Sequence, residues 1–125
     1  MIYQSFEALA LIDVETREFV EINPRFTEML GYSLAEHAPL YVHQLVMDSQ
    51  SVMDRIVSQI ALNQLNVLPV EIRSYRHKNG NIVVAERAGT VIRFDDRDYL
   101  LTSLRDTTEE RSRQAQLARD LEVAR

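Results

Sequence analysis

Asn23-Pro24-Arg25-Phe26-Thr27-Glu28-Met29-Leu30-Gly31-Tyr32-Ser33 contains the start, the body and the stop of a short helix. Asn23 can accept a hydrogen bond from the first turn. Pro24 suits the first helical position, where no N–H is needed. Phe26, Met29 and Leu30 fall three and four apart on one face, and Gly31 can adopt the left-handed conformation that ends a helix. A helix of two turns is not stable by itself, so its apolar face must be buried against other elements.

Those elements lie on both sides of it. Upstream, Ala8–Asp13 and Phe19–Ile22 are β-favouring runs joined by a polar stretch of hairpin length, 14–18. Downstream, Ser33 and Glu36 fit a capping box for a second short helix that Pro39 would close. Asp48 or Ser49 then opens the longest internal helix, with Val52, Met53, Ile56, Val57 and Ile60 on one stripe. Three long strands follow: 67–76, a turn at Asn79-Gly80, 81–92, a turn at Asp95-Asp96, and 98–105. A two-residue Asn79-Gly80 turn would set Lys78 opposite Asn81, Tyr75 opposite Val84 and Arg73 opposite Glu86, the last an ion pair. Val83, Ala85, Arg87 and Val91 share one side of the middle strand, and Ile82, Val84, Glu86 and Ile92 the other, so both faces are expected to be covered in part. Strands at both ends and helices in the middle predict an α+β fold, an antiparallel sheet with helices gathered on one face.

A chain of 125 residues with 46% apolar content suits one domain with a real core. Lys and Arg number 14 against 19 Asp and Glu, a net charge of −5, which argues against nucleic acid and anionic membranes as partners. The absence of cysteine excludes disulfides, thiolate metal sites, a cysteine nucleophile and covalent haem or flavin attachment. No apolar run reaches the roughly 18–20 residues of a bilayer span, so direct membrane insertion is not expected. From Glu109 to Arg125 the pattern is that of a charged helix without a stop signal, expected to run on toward a further domain.

Three segments resemble motifs of PAS domains. Asn23–Ser33 is similar to N-P-x-x-x-x-x-L-G-Y-S; Arg76-His77-Lys78-Asn79-Gly80 is similar to the family's basic hairpin turn; and Arg105-Asp106-Thr107-Thr108-Glu109 resembles its terminal D-I-T-E motif, with Thr107 in place of the aliphatic residue. Together they span roughly Phe6 to Glu110. The resemblance implies a five-stranded antiparallel sheet in the order 2-1-5-4-3, short helices enclosing a small cavity on one face, and a C-terminal signalling helix. It divides the chain into a sensory domain at 1–108 and a linker helix at 109–125. It further implies a cytoplasmic, non-enzymatic module of a multidomain signalling protein of the histidine kinase or diguanylate cyclase/phosphodiesterase type. Such a module senses a small molecule, forms a homodimer and acts on a covalently linked output domain. The alternatives are a ligand-free module that only dimerises and relays strain, and a small pocket enzyme.

The expected ligand pocket comprises Phe26, Met29, Leu30, His43, Met53, Ile56, Val57, Ile60, Arg87 and Ser103, with Tyr41, Ser74, Tyr75 and Thr90 as further polar groups that can orient a small molecule. Arg87 is the most informative, because a cation in mid-strand needs an acidic partner, such as Glu71 or Glu28, or an anionic ligand. Asp106, Thr108 and Glu109 are expected to relay the signal, since overlapping capping boxes at Asp106–Glu109 and Thr107–Glu110 set the angle of the output helix. Gln114, Leu117, Leu121 and Ala124 follow the 3-4-3 spacing of a coiled-coil dimer seam. The sequence names no cofactor. Noncovalent haem is disfavoured: His37 and His77 lie in polar segments, only His43 is a candidate ligand, and the long helix contains no histidine. A noncovalent flavin would lack tryptophan as a stacking partner. No catalytic constellation emerges and no metal site is expected; Asp13 and Glu86 are the strand acids that an enzyme reading would test.

Overall fold

The computed structural model describes residues 7–34 and 38–123. In chain order these form β1 (Ala8–Asp13), β2 (Phe19–Ile22), α1 (Pro24–Leu30), a single 3-10 turn at Val42–Gln44, α2 (Gln50–Ala61), β3 (Val67–Arg76), β4 (Ile82–Phe94), β5 (Arg97–Asp106) and α3 (Thr108–Val123). The strands make one antiparallel sheet in the order β2-β1-β5-β4-β3.

Local chemistry explains α1. The Asn23 side chain accepts from the Phe26 amide at 3.0 Å, and Pro24 fills the first turn. Gly31, at φ 82°, donates back to the Thr27 carbonyl. The Lys78 amide donates to the Leu30 carbonyl at 2.9 Å, so the β3–β4 turn docks on the end of α1. In α2, Ser49 caps the helix through the Val52 amide.

The short helix expected between Ser33 and Pro39 falls mainly on 35–37, which lie outside the described residues; 31–34 before them is irregular. One expectation needs correction. The β3–β4 turn contains three residues rather than two. The His77 amide donates to the Asn81 carbonyl at 2.7 Å and the Gly80 amide to the His77 carbonyl at 2.9 Å, with Gly80 at φ 95°. A left-handed glycine after a tight turn inserts one residue and shifts the pairing by one. Tyr75 therefore faces Val83, and Arg73 faces Ala85. Arg73 pairs with Glu71 on its own strand and lies 3.7 Å from Asp48, while Glu86 takes Arg105 of β5 at 3.1 Å. The β4–β5 turn does have two central residues, Asp95 and Asp96, both at positive φ, as a tight hairpin requires.

The helices cover one face of the sheet. On that face lie Ala8, Ala10, Ala85, Arg87, Leu100, Thr102 and Leu104, all buried. The core has two clusters, one around Phe19, Phe26, Leu30, Leu45 and Tyr75, the other around Val14, Ile60, Leu68 and Leu100. The opposite face is more open than expected: Ile72, Ile82 and Ile92 are exposed there. Edge strand β3 carries Pro69 at a register shift between Leu68 and Glu71, where a missing amide breaks no central ladder.

Candidate functional site

A cavity of about 90 Å³ lies where the two core clusters meet, between the sheet and α2. Its apolar walls include Phe26, Leu30, Ile56, Ile60, Leu68 and Leu100; its polar lining is Arg17, Asp48, Tyr75, Arg87 and Thr102. That volume is small beside the roughly 300–1,000 Å³ of sites for drug-sized ligands, yet it exceeds the ~10–15 Å³ needed for one water.

Of the residues expected in the pocket, Phe26, Leu30, Met53, Ile56, Val57, Ile60 and Arg87 line this cavity, as does Tyr75. Met29 is buried in the core beside it but does not reach it. His43 is exposed and stacks on Tyr41, ring centroids 5.7 Å apart, because the 3-10 turn points it outward. Ser103 lies on the other face of the sheet, paired with Ala88 and Leu9; its neighbours Thr102 and Leu104 are the ones that point inward. Ser74 and Thr90 are likewise absent from the lining, Ser74 pairing with Val84 on the open face. Thr102, not among the expected residues, also lines the cavity; its hydroxyl donates to the Ala10 carbonyl at 3.3 Å, and its alternation with buried Leu100 and Leu104 is the sequence signal that marks it.

Arg87 is 9% exposed. Its Nη2 donates to the Pro69 carbonyl at 3.2 Å and stands 3.5 Å from Glu71, while its buried Nε has no partner. Glu71 is thus the acid near it, and Glu28 pairs instead with Arg25 at the surface. Glu71 is shared, since Arg73 contacts it more closely. The Pro69 carbonyl is free for Arg87 because the β3 register shift interrupts the ladder there. Arg17, held left-handed at φ 65°, crosses to α2 and binds Asp54 at 2.6 Å. Burial, helped by the Asp48 carboxylate, pushes the Tyr75 phenol pKa up to about 12 against the opposing pull of Arg87 and Arg73.

The strand acids sit elsewhere. Burial works against ionisation of Asp13, but Arg97, at 2.6 and 3.1 Å, and the amides of Thr16 and Glu15 outweigh it and hold the carboxyl below its ordinary range. Glu86 faces Arg105 on the far side of the sheet.

At the C-terminal end, buried Thr107 precedes α3. Its amide and hydroxyl both donate to the Val84 carbonyl, at 3.1 and 3.3 Å, and its own carbonyl accepts from Arg111. Arg105 spans Glu86 and, at 3.9 Å, Glu110 of the first turn of α3. The side chains of Thr108 and Glu109 lie outside the described ones, as does Ala124. Residues 110–122 are all exposed, Leu117 and Leu121 by 59% and 61%. Among the described residues there is no cluster of three metal-ligating side chains, and no helix is long and apolar enough to cross a membrane.

No protein-family model matches the sequence, and no curated protein matches it. Solved structures do. A PAS domain from a Colwellia psychrerythraea protein is 19% identical, with a TM-score of 0.70 over 86% of this chain and 92% of that one. A domain of a sensory box sensor histidine kinase/response regulator from Geobacter sulfurreducens is 20% identical, with a TM-score of 0.68 over 84% and 87%. The PAS domain of an HTR-like protein from Haloarcula marismortui is 18% identical, with a TM-score of 0.66 over 84% of each. The strand order, the helices over one face and these likenesses agree: the chain has the PAS fold.

Proposed function

We propose that this chain is a cytoplasmic sensory module of a multidomain signalling protein, reading a small molecule in the cavity beneath α2 and passing the change to α3. The observation that carries this reading is the position of β4. Arg87 of that strand lines the cavity, while Val84, three residues earlier, holds Thr107 at the start of α3. Glu86 between them reaches α3 through Arg105. A shift of β4 would therefore be felt at the helix start, where a small change of angle is amplified along the helix. The Thr107–Val84 link is the firmer of the two, because exposed ion pairs such as Arg105–Glu110 contribute little.

α3 needs a partner more than it needs the body of the domain. Leu117 and Leu121 share one face, and covering it with a second copy of the helix, with Gln114 and Ala124 continuing the seam, makes a homodimer. The output domain attached beyond α3 is of the kinase or cyclase/phosphodiesterase type. We read no catalytic role: Asp13 is held ionised by Arg97 away from the cavity, and Glu86 is on the other face. The small cavity favours one second reading, a ligand-free module that dimerises and relays strain.

Native mass spectrometry of the protein at several concentrations tests both. A dimer carrying extra mass supports sensing. A bare dimer supports the relay-only reading, and a bare monomer at every concentration overturns the seam.

A further inference from the structure

Resting on the reading of this cavity as a sensory pocket, we infer that its ligand is a short-chain monocarboxylate, whose anionic end is received by Arg87 Nε and the Tyr75 hydroxyl. Three observations converge. First, the acids around the cavity are already committed. Arg17 takes Asp54, and Arg73 contacts both Asp48 and Glu71, leaving Arg87 to share Glu71 at 3.5 Å. Second, two donors on the lining are unused. Arg87 Nε is buried without a partner, and the Tyr75 hydroxyl makes no hydrogen bond among the described residues. A buried donor such as Arg87 Nε left unmade is costly, and an acceptor entering the cavity removes that cost. Third, apart from Arg17, Asp48 and Thr102, which already have partners, the rest of the wall is apolar, with Phe26, Leu30, Ile56, Ile60, Leu68 and Leu100.

With Arg17 paired to Asp54, a chamber whose one buried unpartnered cationic donor among the described residues is Arg87 Nε and whose walls are mostly apolar selects a molecule with one charged end and a short apolar body. A carboxylate satisfies both donors at once and gains a charge-assisted bond from the guanidinium. A phosphate or sulfate fits worse, because its remaining oxygens would be buried against apolar walls without donors. A neutral amide would leave the guanidinium with only the Glu71 carboxylate that it shares with Arg73. Asp48 on the lining carries a like charge; Arg73 at 3.7 Å offsets it and favours a single anionic group at the Arg87 end rather than a dicarboxylate.

The probes are the sodium salts of butyrate, isovalerate and benzoate, the corresponding primary amides, and inorganic phosphate, titrated against the whole chain by calorimetry and by amide chemical shifts. At least one carboxylate is expected to bind with shifts at β4 and α2, at least about tenfold tighter than its amide and tighter than phosphate. Tyr75→Phe, which keeps the ring in the core, and Arg87→Lys, which keeps a charge, should each weaken it by about 10- to 100-fold. Equal affinity for amide and carboxylate, unchanged affinity in both variants, or no binding of any carboxylate up to about 10 mM overturns the inference. The pocket reading is tested separately. Ile56→Phe, which fills the cavity, would leave signalling by the full-length protein unchanged if the cavity has no sensory role, whatever the carboxylates do.

Discussion

Asn23 pairs with Leu9 twice, once through its backbone and once through its side chain. The Asn23 amide donates to the Leu9 carbonyl at 3.0 Å, and the Leu9 amide donates to Asn23 Oδ1 at 2.9 Å. The same Oδ1 accepts from Phe26, and Nδ2 donates to the Glu7 carbonyl at 2.9 Å. One amide side chain thus extends the β1–β2 pairing and caps α1 in the same place. Asn23→Ala removes a cap worth roughly 0.5–2 kcal/mol and strands buried backbone groups at about 1–3 kcal/mol. A loss of about 2–4 kcal/mol is expected, read from urea unfolding at pH 7; a loss under about 1 kcal/mol would refute the dual role.

The Asp13–Arg97 pair joins the two hairpin turns at one end of the sheet. Its carboxyl titrates below 3.8 in the folded chain, so its stabilisation is fully present above that value and is lost as pH falls through the lower folded value. Stability measured between pH 6 and 2.5 should fall less steeply below pH 4 in Asp13→Asn than in the wild type, from a lower starting stability. Parallel curves would show that the pair is not coupled to folding.

Tyr75 makes the opposite prediction at alkaline pH. A folded pKa of about 12 against an ordinary 10 means that its neutral form stabilises the fold fully below pH 10 and that this contribution disappears as pH rises from 10 toward 12. Of the five tyrosines, Tyr75 should ionise in a late phase seen by absorbance near 295 nm. Tyr75→Phe should remove that phase and leave the remainder unchanged.

Gly31 and Gly80 both have positive φ, but only Gly31 is crowded: a methyl group there would lie 2.6 Å from His77 Cε1, whereas nothing stands within 4 Å at Gly80. Gly80→Ala should cost about 1–2 kcal/mol, the price of the left-handed conformation. Gly31→Ala adds overpacking and should cost about 2–4 kcal/mol. In a His77→Ala background the Gly31→Ala cost should drop toward the Gly80 value, a non-additivity that a double-mutant cycle measures.

Thr107 occupies a position where an aliphatic side chain would fill the same space without bonding Val84. Thr107→Val keeps the volume and removes one hydrogen bond, worth about 1 kcal/mol. Hydrogen exchange at Arg111, whose amide bonds the Thr107 carbonyl, should speed up by about fivefold. Unchanged protection would place the hold on α3 elsewhere.

The elements that depend on near neighbours were legible in the sequence. β1, β2 and α1 fall where their caps, proline and apolar spacing put them, and so does the Ser49 cap of α2. The Asp95-Asp96 turn was legible too, since its conformation is decided within four residues. What required tertiary structure was every feature that depends on parity across strands. The left-handed Gly80 adds one residue to its turn, and because side chains alternate with period two, that slip exchanges the partners of Arg73, Tyr75 and Glu86. The same parity put Thr102 rather than Ser103 on the cavity. The lodging of Arg87 needed a carbonyl released by the register shift at Pro69 and an acid already taken by Arg73. Strand spacing along the chain does not contain that information, because it arises only when β3, β4 and the segment before α2 are brought together.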